Sequence, residues 1–423
     1  KIGSSVVVKP HHNKMAEHPS QNICGICRGN HLTDEHSSSK DPGLLKASET
    51  LKTQEKKELL DYDRLASEIE KSPLLGQGLL EMIAGERLRQ LKRFNLPPDT
   101  KDGAIAVACD QELLAQLKGN LSSADSDIID KYHRSSVGEP LDFLDRQAVV
   151  NIIINPNNRI YKNKEGLNVN LSEYLKDYYA PLGVDIDISF DTLTPAQSRA
   201  IDRFFRIAQR NFSAQHLEQE SIAIPFIQIK KGNRTVSIPV IGSDKDIHAP
   251  MRDPETHEKI GSFVGLKIVH EPKLGSGLSA NIGFMVHELD HAIRKVLDGD
   301  EKKIDEEDRI ISEGTAEFAR HLFSEIQNQF NPDLGYGLNN ALMLASSIAS
   351  EGTEAKPGLK HTYASGLVLS ERVNSTLGKE KFFEFGYDPG KSPDGGQLSE
   401  LRRQIVSNLE KVKGLAREFM VNF

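Results

Sequence analysis

The chain has no tryptophan, three cysteines and no apolar run approaching the roughly 18 residues of a membrane span. Without such a run, no spanning helix is expected. Three cysteines are too few, and odd in number, to build a disulfide framework, so folding in a reducing, cytoplasmic compartment is favoured. Aromatics at 6% leave little for a platform on which single-stranded nucleic acid could stack. Positive charge is also in deficit: 53 Lys and Arg face 61 Asp and Glu, giving a formal net charge of -8 with no long basic run. Nucleic acid and anionic membranes are therefore not expected partners. Residues 1–20 have no signal-peptide core, Val6-Val7-Val8 being too short. The sequence begins at Lys1 and not at Met, which leaves room for a targeting segment upstream.

Of the 423 residues, the first 45 are rich in Lys, His, Ser and Asn and read as a flexible arm. Residues 46–146 read as a mostly helical region, with Leu and Ile at helical spacing from Leu59 to Ile83 and a break near Ser72-Pro73. From residue 147 the pattern changes. Val149–Ile154 is a β-branched run, followed by a turn at Asn155–Asn158 and then Arg159–Tyr161. Asp185–Phe190, Ile222–Lys230, Thr235–Ile241 and Ser262–His270 read as strands, the middle two as a hairpin. Thr194-Pro195 opens a helix, with Thr at N-cap and Pro at the first helical position. After residue 278 the chain reads as helical. Residues 147–423 thus give an α+β class, with a small sheet in 147–278 and a helical half in 279–423.

Chemistry concentrates in His287-Glu288-Leu289-Asp290-His291. Around it Ile282, Met285, Val286, Leu289, Ile293 and Val296 form the buried stripe of a helix over 281–297. Residues i and i+4 share a helix face, so both imidazoles can reach one tetrahedral zinc. Glu288 stands beside the open position, where it can take a proton from water and return it to a leaving amine. A third ligand candidate, Glu313, follows 22 residues after His291 on another expected helix, with Gly314 beside it permitting close packing. Glu317 comes one turn later and can accept the outer N–H of a ligand imidazole, which fixes its tautomer.

His287-Glu288-x-x-His291 followed by Glu313-Gly-Thr-Ala-Glu317-Phe318 resembles the gluzincins, the thermolysin- and aminopeptidase N-like zinc metallopeptidases. Tyr363–Val373 and Leu377–Phe383 are similar to the segment that follows in such proteins. The resemblance spans about residues 220–390 and implies a zincin-like fold for 147–423. It implies zinc on His287, His291 and Glu313, Glu288 as general base and acid, and Tyr363 as donor to the oxyanion. A peptide or protein substrate is implied, lying along an edge strand for which Ser262–His270 is the expectation. No Gly-x-Met-Glu-Asn motif is present, so the likeness is to endopeptidases.

Rival readings remain at several positions. The same pentapeptide spelling occurs in peptide deformylases, but their upstream Glu-Gly-Cys motif is absent, and Cys109 reads as a small core residue. His321 and His361 compete with Tyr363 as donors, and Tyr363 can equally be a packed helix residue. Glu351-Gly-Thr-Glu354 echoes the Glu313 motif but sits in a loop. In the arm, Cys24, Cys27, His31 and His36 have ligand types and spacing suited to a second, structural zinc, resembling a zinc knuckle. Two alternatives to an enzyme follow: a scaffold with a vestigial zincin fold, and an adaptor acting through that cluster.

Overall fold

The computed structural model describes residues 62–411, apart from residues 70, 76, 119–120, 136–140, 208–217, 245–246, 269–277, 299–305, 351–361, 389–397 and 399. Five helices come first: α1 (Tyr62–Ile69), α2 (Gln77–Arg93), α3 (Asp102–Lys118), α4 (Ser123–Ser135) and α5 (Phe143–Ile154). A two-residue pair, β1 (Tyr161–Lys162) and β2 (Asn168–Val169), precedes α6 (Leu171–Tyr179). Then come β3 (Asp185–Asp191), α7 (Pro195–Ile207), β4 (Ile224–Lys231), β5 (Arg234–Ser243), β6 (Ile247–Arg252) and β7 (Lys259–Lys267). The rest is helical: α8 (Leu278–Asp298), α9 (Glu306–Phe330), α10 (Tyr336–Ser350), α11 (Thr362–Leu377) and α12 (Lys379–Tyr387). The class is α+β, as expected.

The five strands are ordered β3-β4-β5-β7-β6, antiparallel except for the parallel pair β5–β7. Alternation along each strand covers both faces. Ile227, Val240 and Val264 join the core shared with the C-terminal helices. Their neighbours Phe226, Ile241 and Phe263 join a second core with Ile201 and Phe205 of α7. The start of α7 is held by a reciprocal cap: Gln197 N–H donates to Thr194 Oγ1 at 3.3 Å, and Thr194 N–H donates to Gln197 Oε1 at 2.9 Å.

Two expectations are corrected. Val149–Ile154 is not a strand but the last half of α5. Asp142 caps that helix by accepting from the Asp145 N–H at 2.8 Å. The helix is buried almost all round because it lies between α4 and strands β4 and β5, so an unbroken apolar run suits it. Gln147 docks it on the sheet, its Oε1 accepting from Gly242 N–H at 2.9 Å and its Nε2 donating to Val240 O at 3.3 Å. A Cβ at Gly242 would stand 2.5 Å from the Arg146 carbonyl carbon, so this close approach needs glycine. Second, the strand expected at Ser262–His270 is not an edge strand: β7 pairs with β5 on one side and β6 on the other. The edge on that side of the sheet is β6, a strand not foreseen, and β3 is the other edge.

Residue 147 falls inside α5, and one apolar core runs from Leu65 of α1 to Leu409 near the end of the described residues. Among those residues no helix is long and apolar enough to cross a membrane. Cys109 is fully buried on α3.

Beside Cys109, Asp110 reaches across to the site helix, its Oδ1 accepting the Leu278 N–H at the first turn of α8 at 2.8 Å. Burial pushes this carboxyl up from 3.8 to about 7, the hydrogen bond from Leu278 opposing it. Below 3.8 the folded and unfolded chains both hold the proton. Between 3.8 and about 7 only the folded chain keeps it, so stability falls as pH rises through that window. The separation corresponds to on the order of 4 kcal/mol. Urea unfolding of Asp110→Asn, whose side-chain oxygen still accepts from Leu278, is expected to lack that fall. If the stability difference between the two chains is the same at pH 4 and pH 8, the account is wrong.

Candidate metal centre

Two helices build the site. On α8, Ile282, Met285, Val286, Leu289, Ile293 and Val296 are buried as the periodicity predicts, which turns His287 and His291 toward α9. Helix α9 brings Glu313 opposite them. It can approach α11 closely because Gly314 meets Gly366, where a Cβ on Gly314 would stand 2.5 Å from the Gly366 carbonyl oxygen.

His287 Nε2 and His291 Nε2 are 3.1 Å apart. Glu313 Oε2 lies 3.2 Å from His291 Nε2 and 3.5 Å from His287 Nε2. A tetrahedral ion with bonds near 2.0–2.1 Å separates its ligand atoms by about 3.3 Å. The observed triangle therefore has the size that a bound ion requires, and the two nitrogens and one carboxylate oxygen suit a divalent metal. His287, His291 and Glu313 are the group of donors that could hold a metal ion among the described residues.

The outer nitrogens are also engaged. Ser312 Oγ is 3.2 Å from His291 Nδ1. Glu317 Oε1 is 3.2 Å from His287 Nδ1, close but out of line for a full hydrogen bond. Both rings thus turn Nε2 inward. Burial alone would raise the Glu317 carboxyl, but Arg320 and His287 outweigh it and hold the carboxyl down to about 2. Burial disfavours charge on His287, yet Glu313 and Glu317 overcome it and draw this imidazole well above its usual 6.5. These carboxylates thus favour positive charge around His287, which a metal cation would also supply.

Glu288 is buried, 4% exposed. Burial raises its carboxyl above 4.5, with Glu313 adding to the rise and His287, His291 and Lys295 opposing it. Tyr363, half-buried on α11, lays its ring beside His287, centroids 6.2 Å apart. His321 is occupied elsewhere, between Asn340 at 2.7 Å and Glu325 at 3.2 Å, and is not part of the three-ligand group. Glu351, Glu354, His361, Cys24, Cys27, His31 and His36 lie outside the described residues.

Sequence reasoning missed the supports behind these groups. Asp290, fully buried between the two histidines, accepts from Tyr179 Oη at 2.6 Å, from Thr315 Oγ1 at 3.3 Å, and from Tyr387 Oη. Burial first, and Asp290 second, push both phenols well above 10.0, so they stay protonated donors. Arg294 donates to the Gly386 carbonyl, tying α8 to α12. Arg320, one turn after Glu317, donates Nε and Nη2 to Glu317 Oε2 at 2.8 and 2.6 Å. Of these only Arg320 had a local signal, its i+3 spacing from Glu317; the tyrosines come from distant segments. No protein-family model, curated sequence or solved structure matches the chain, so the site is read from its own geometry.

Proposed function

We propose that the chain is a zinc-dependent hydrolase, a metallopeptidase of endopeptidase type with a zincin-like, gluzincin ligand set. The observation that carries this is the convergence of His287, His291 and Glu313 on one point, beside a buried glutamate that a purely structural metal site would not need. A zinc ion held by these three residues would polarise a carbonyl and make water nucleophilic near neutral pH. Glu288, buried beside the three donors, would serve as the group that accepts a proton from water and returns it to the departing amine. Its burial favours this, since a carboxyl raised above its usual range is a better proton acceptor near neutrality. Tyr363, beside His287, donates to the oxygen on which charge builds.

A peptide would add to the sheet at the edge strand β6. Lys295 Nζ on α8 and His248 Nδ1 on β6 are 3.5 Å apart, a contact between that strand and the motif helix.

The test loads the full chain with zinc and offers it a mixed peptide library read by mass spectrometry. About one zinc per chain and cleavage at defined bonds are expected, both lost in His291→Ala. Stoichiometric zinc with no bond cleaved would overturn the catalytic reading.

A further inference from the structure

Arg320 is buried, 4% exposed, at the rear of the site. A guanidinium normally meets a carboxylate as a fork, one N–H on each oxygen. Here both Nε and Nη2 converge on the same oxygen, Glu317 Oε2, at 2.8 and 2.6 Å. That leaves Oε1 facing His287 Nδ1 at 3.2 Å. The arginine is itself fixed. Its stem crosses α8 at Gly283, Cγ lying 3.4 Å from where a Cβ there would stand, and its guanidinium sits 5.8 Å over the Phe284 ring. Both contacts fall one turn before His287, so the same helix that carries the ligand holds the arginine.

Buried ion pairs contribute little net stability, because desolvation offsets much of the attraction. A role in geometry and charge is the better account. We propose that Arg320 is a positioning residue: it holds Glu317 with one oxygen against His287 Nδ1, and through that charged contact keeps His287 Nε2 turned to the metal position. The proposal rests on the metal site argued above.

Zinc affinity of the full chain, measured by competition with a chromophoric chelator, is the test, with cobalt(II) absorption as a second readout. Arg320→Met is expected to weaken zinc binding by about 10–100-fold and to alter the visible cobalt bands. Arg320→Lys, which keeps the charge, should recover part of both. Because Arg320 acts through Glu317, the double variant Glu317→Gln/Arg320→Met should bind zinc no more weakly than Glu317→Gln alone. This double variant removes both charges, and with Arg320→Lys it decides the matter if Arg320→Met does not fold. Unchanged affinity and cobalt bands in Arg320→Met, even with a lower melting midpoint of the metal-free chain, would show a merely structural arginine. Additive losses in the double variant would equally overturn the proposal. Absence of zinc binding in the unaltered chain would remove the site reading itself, a result distinct from normal binding with an indifferent Arg320.

Discussion

Replacing Glu288 by Gln is expected to leave about one zinc per chain and to lower peptide hydrolysis by about 10²–10⁴-fold, the usual contribution of a positioned acid–base group. The two effects separate because Glu288 is not one of the three converging donors. Glutamine preserves side-chain shape, so the buried position is filled as before, and no charge is left there without water. What is lost is the oxygen that can take a proton. Zinc content by metal analysis and initial cleavage rates on a peptide identified from the library check this. Cleavage at an unchanged rate with full zinc would rule Glu288 out as the base. Loss of zinc together with activity would show that Glu288 holds the site and not the proton.

Gly314→Ala is expected to have the largest effect on the fold. The new Cβ would meet the Gly366 oxygen, carbonyl carbon and Cα at 2.5, 2.6 and 2.7 Å, all backbone atoms that no side-chain rotation can move aside. Helices α9 and α11 would have to part, at a cost of roughly 3 kcal/mol or more. Glu313 is the adjacent residue, and Tyr363 is one turn before Gly366, so the parting should also weaken zinc binding. Gly85→Ala on α2 is the control: nothing lies within 4 Å of its Cβ position. It should stabilise the chain by up to about 1 kcal/mol, as alanine favours a helix. Urea unfolding of both variants without metal, followed by zinc titration, gives the comparison. Similar stabilities for the two would show that the helix crossing is not the constraint.

The candidate metal site is legible in the sequence because each of its signals is local. His287 and His291 are spaced for one helix face, and Glu313 and Glu317 are spaced one turn apart on the next. The β4–β5 hairpin and the capped start of α7 were legible for the same reason: turn and cap chemistry lie within a few residues. Val149–Ile154 misled because β-branching is a local preference, whereas burial between α4 and the sheet is a tertiary fact that overrode it. Strand β6 was missed, and β7 misplaced at the edge, since pairing order depends on which strands meet and not on their composition. The hydroxyl donors around Asp290 were invisible for a related reason. A tyrosine 111 residues upstream and another 97 downstream carry no spacing that sequence patterns can register.

That last junction sets an order of events during synthesis. At about 5–20 residues per second, Tyr387 follows Asp290 out of the ribosome only after about 5–20 s, whereas Tyr179 has long been made. Through that interval the motif helix exists with one of its two phenolic anchors absent. Thr315 and Glu313 arrive well before Tyr387, so the three candidate ligands are all present in a nascent chain whose Asp290 is still one donor short. Completion of the junction behind the candidate metal site is therefore a late step of biogenesis, timed by the arrival of α12 and not by the synthesis of His287, His291 and Glu313.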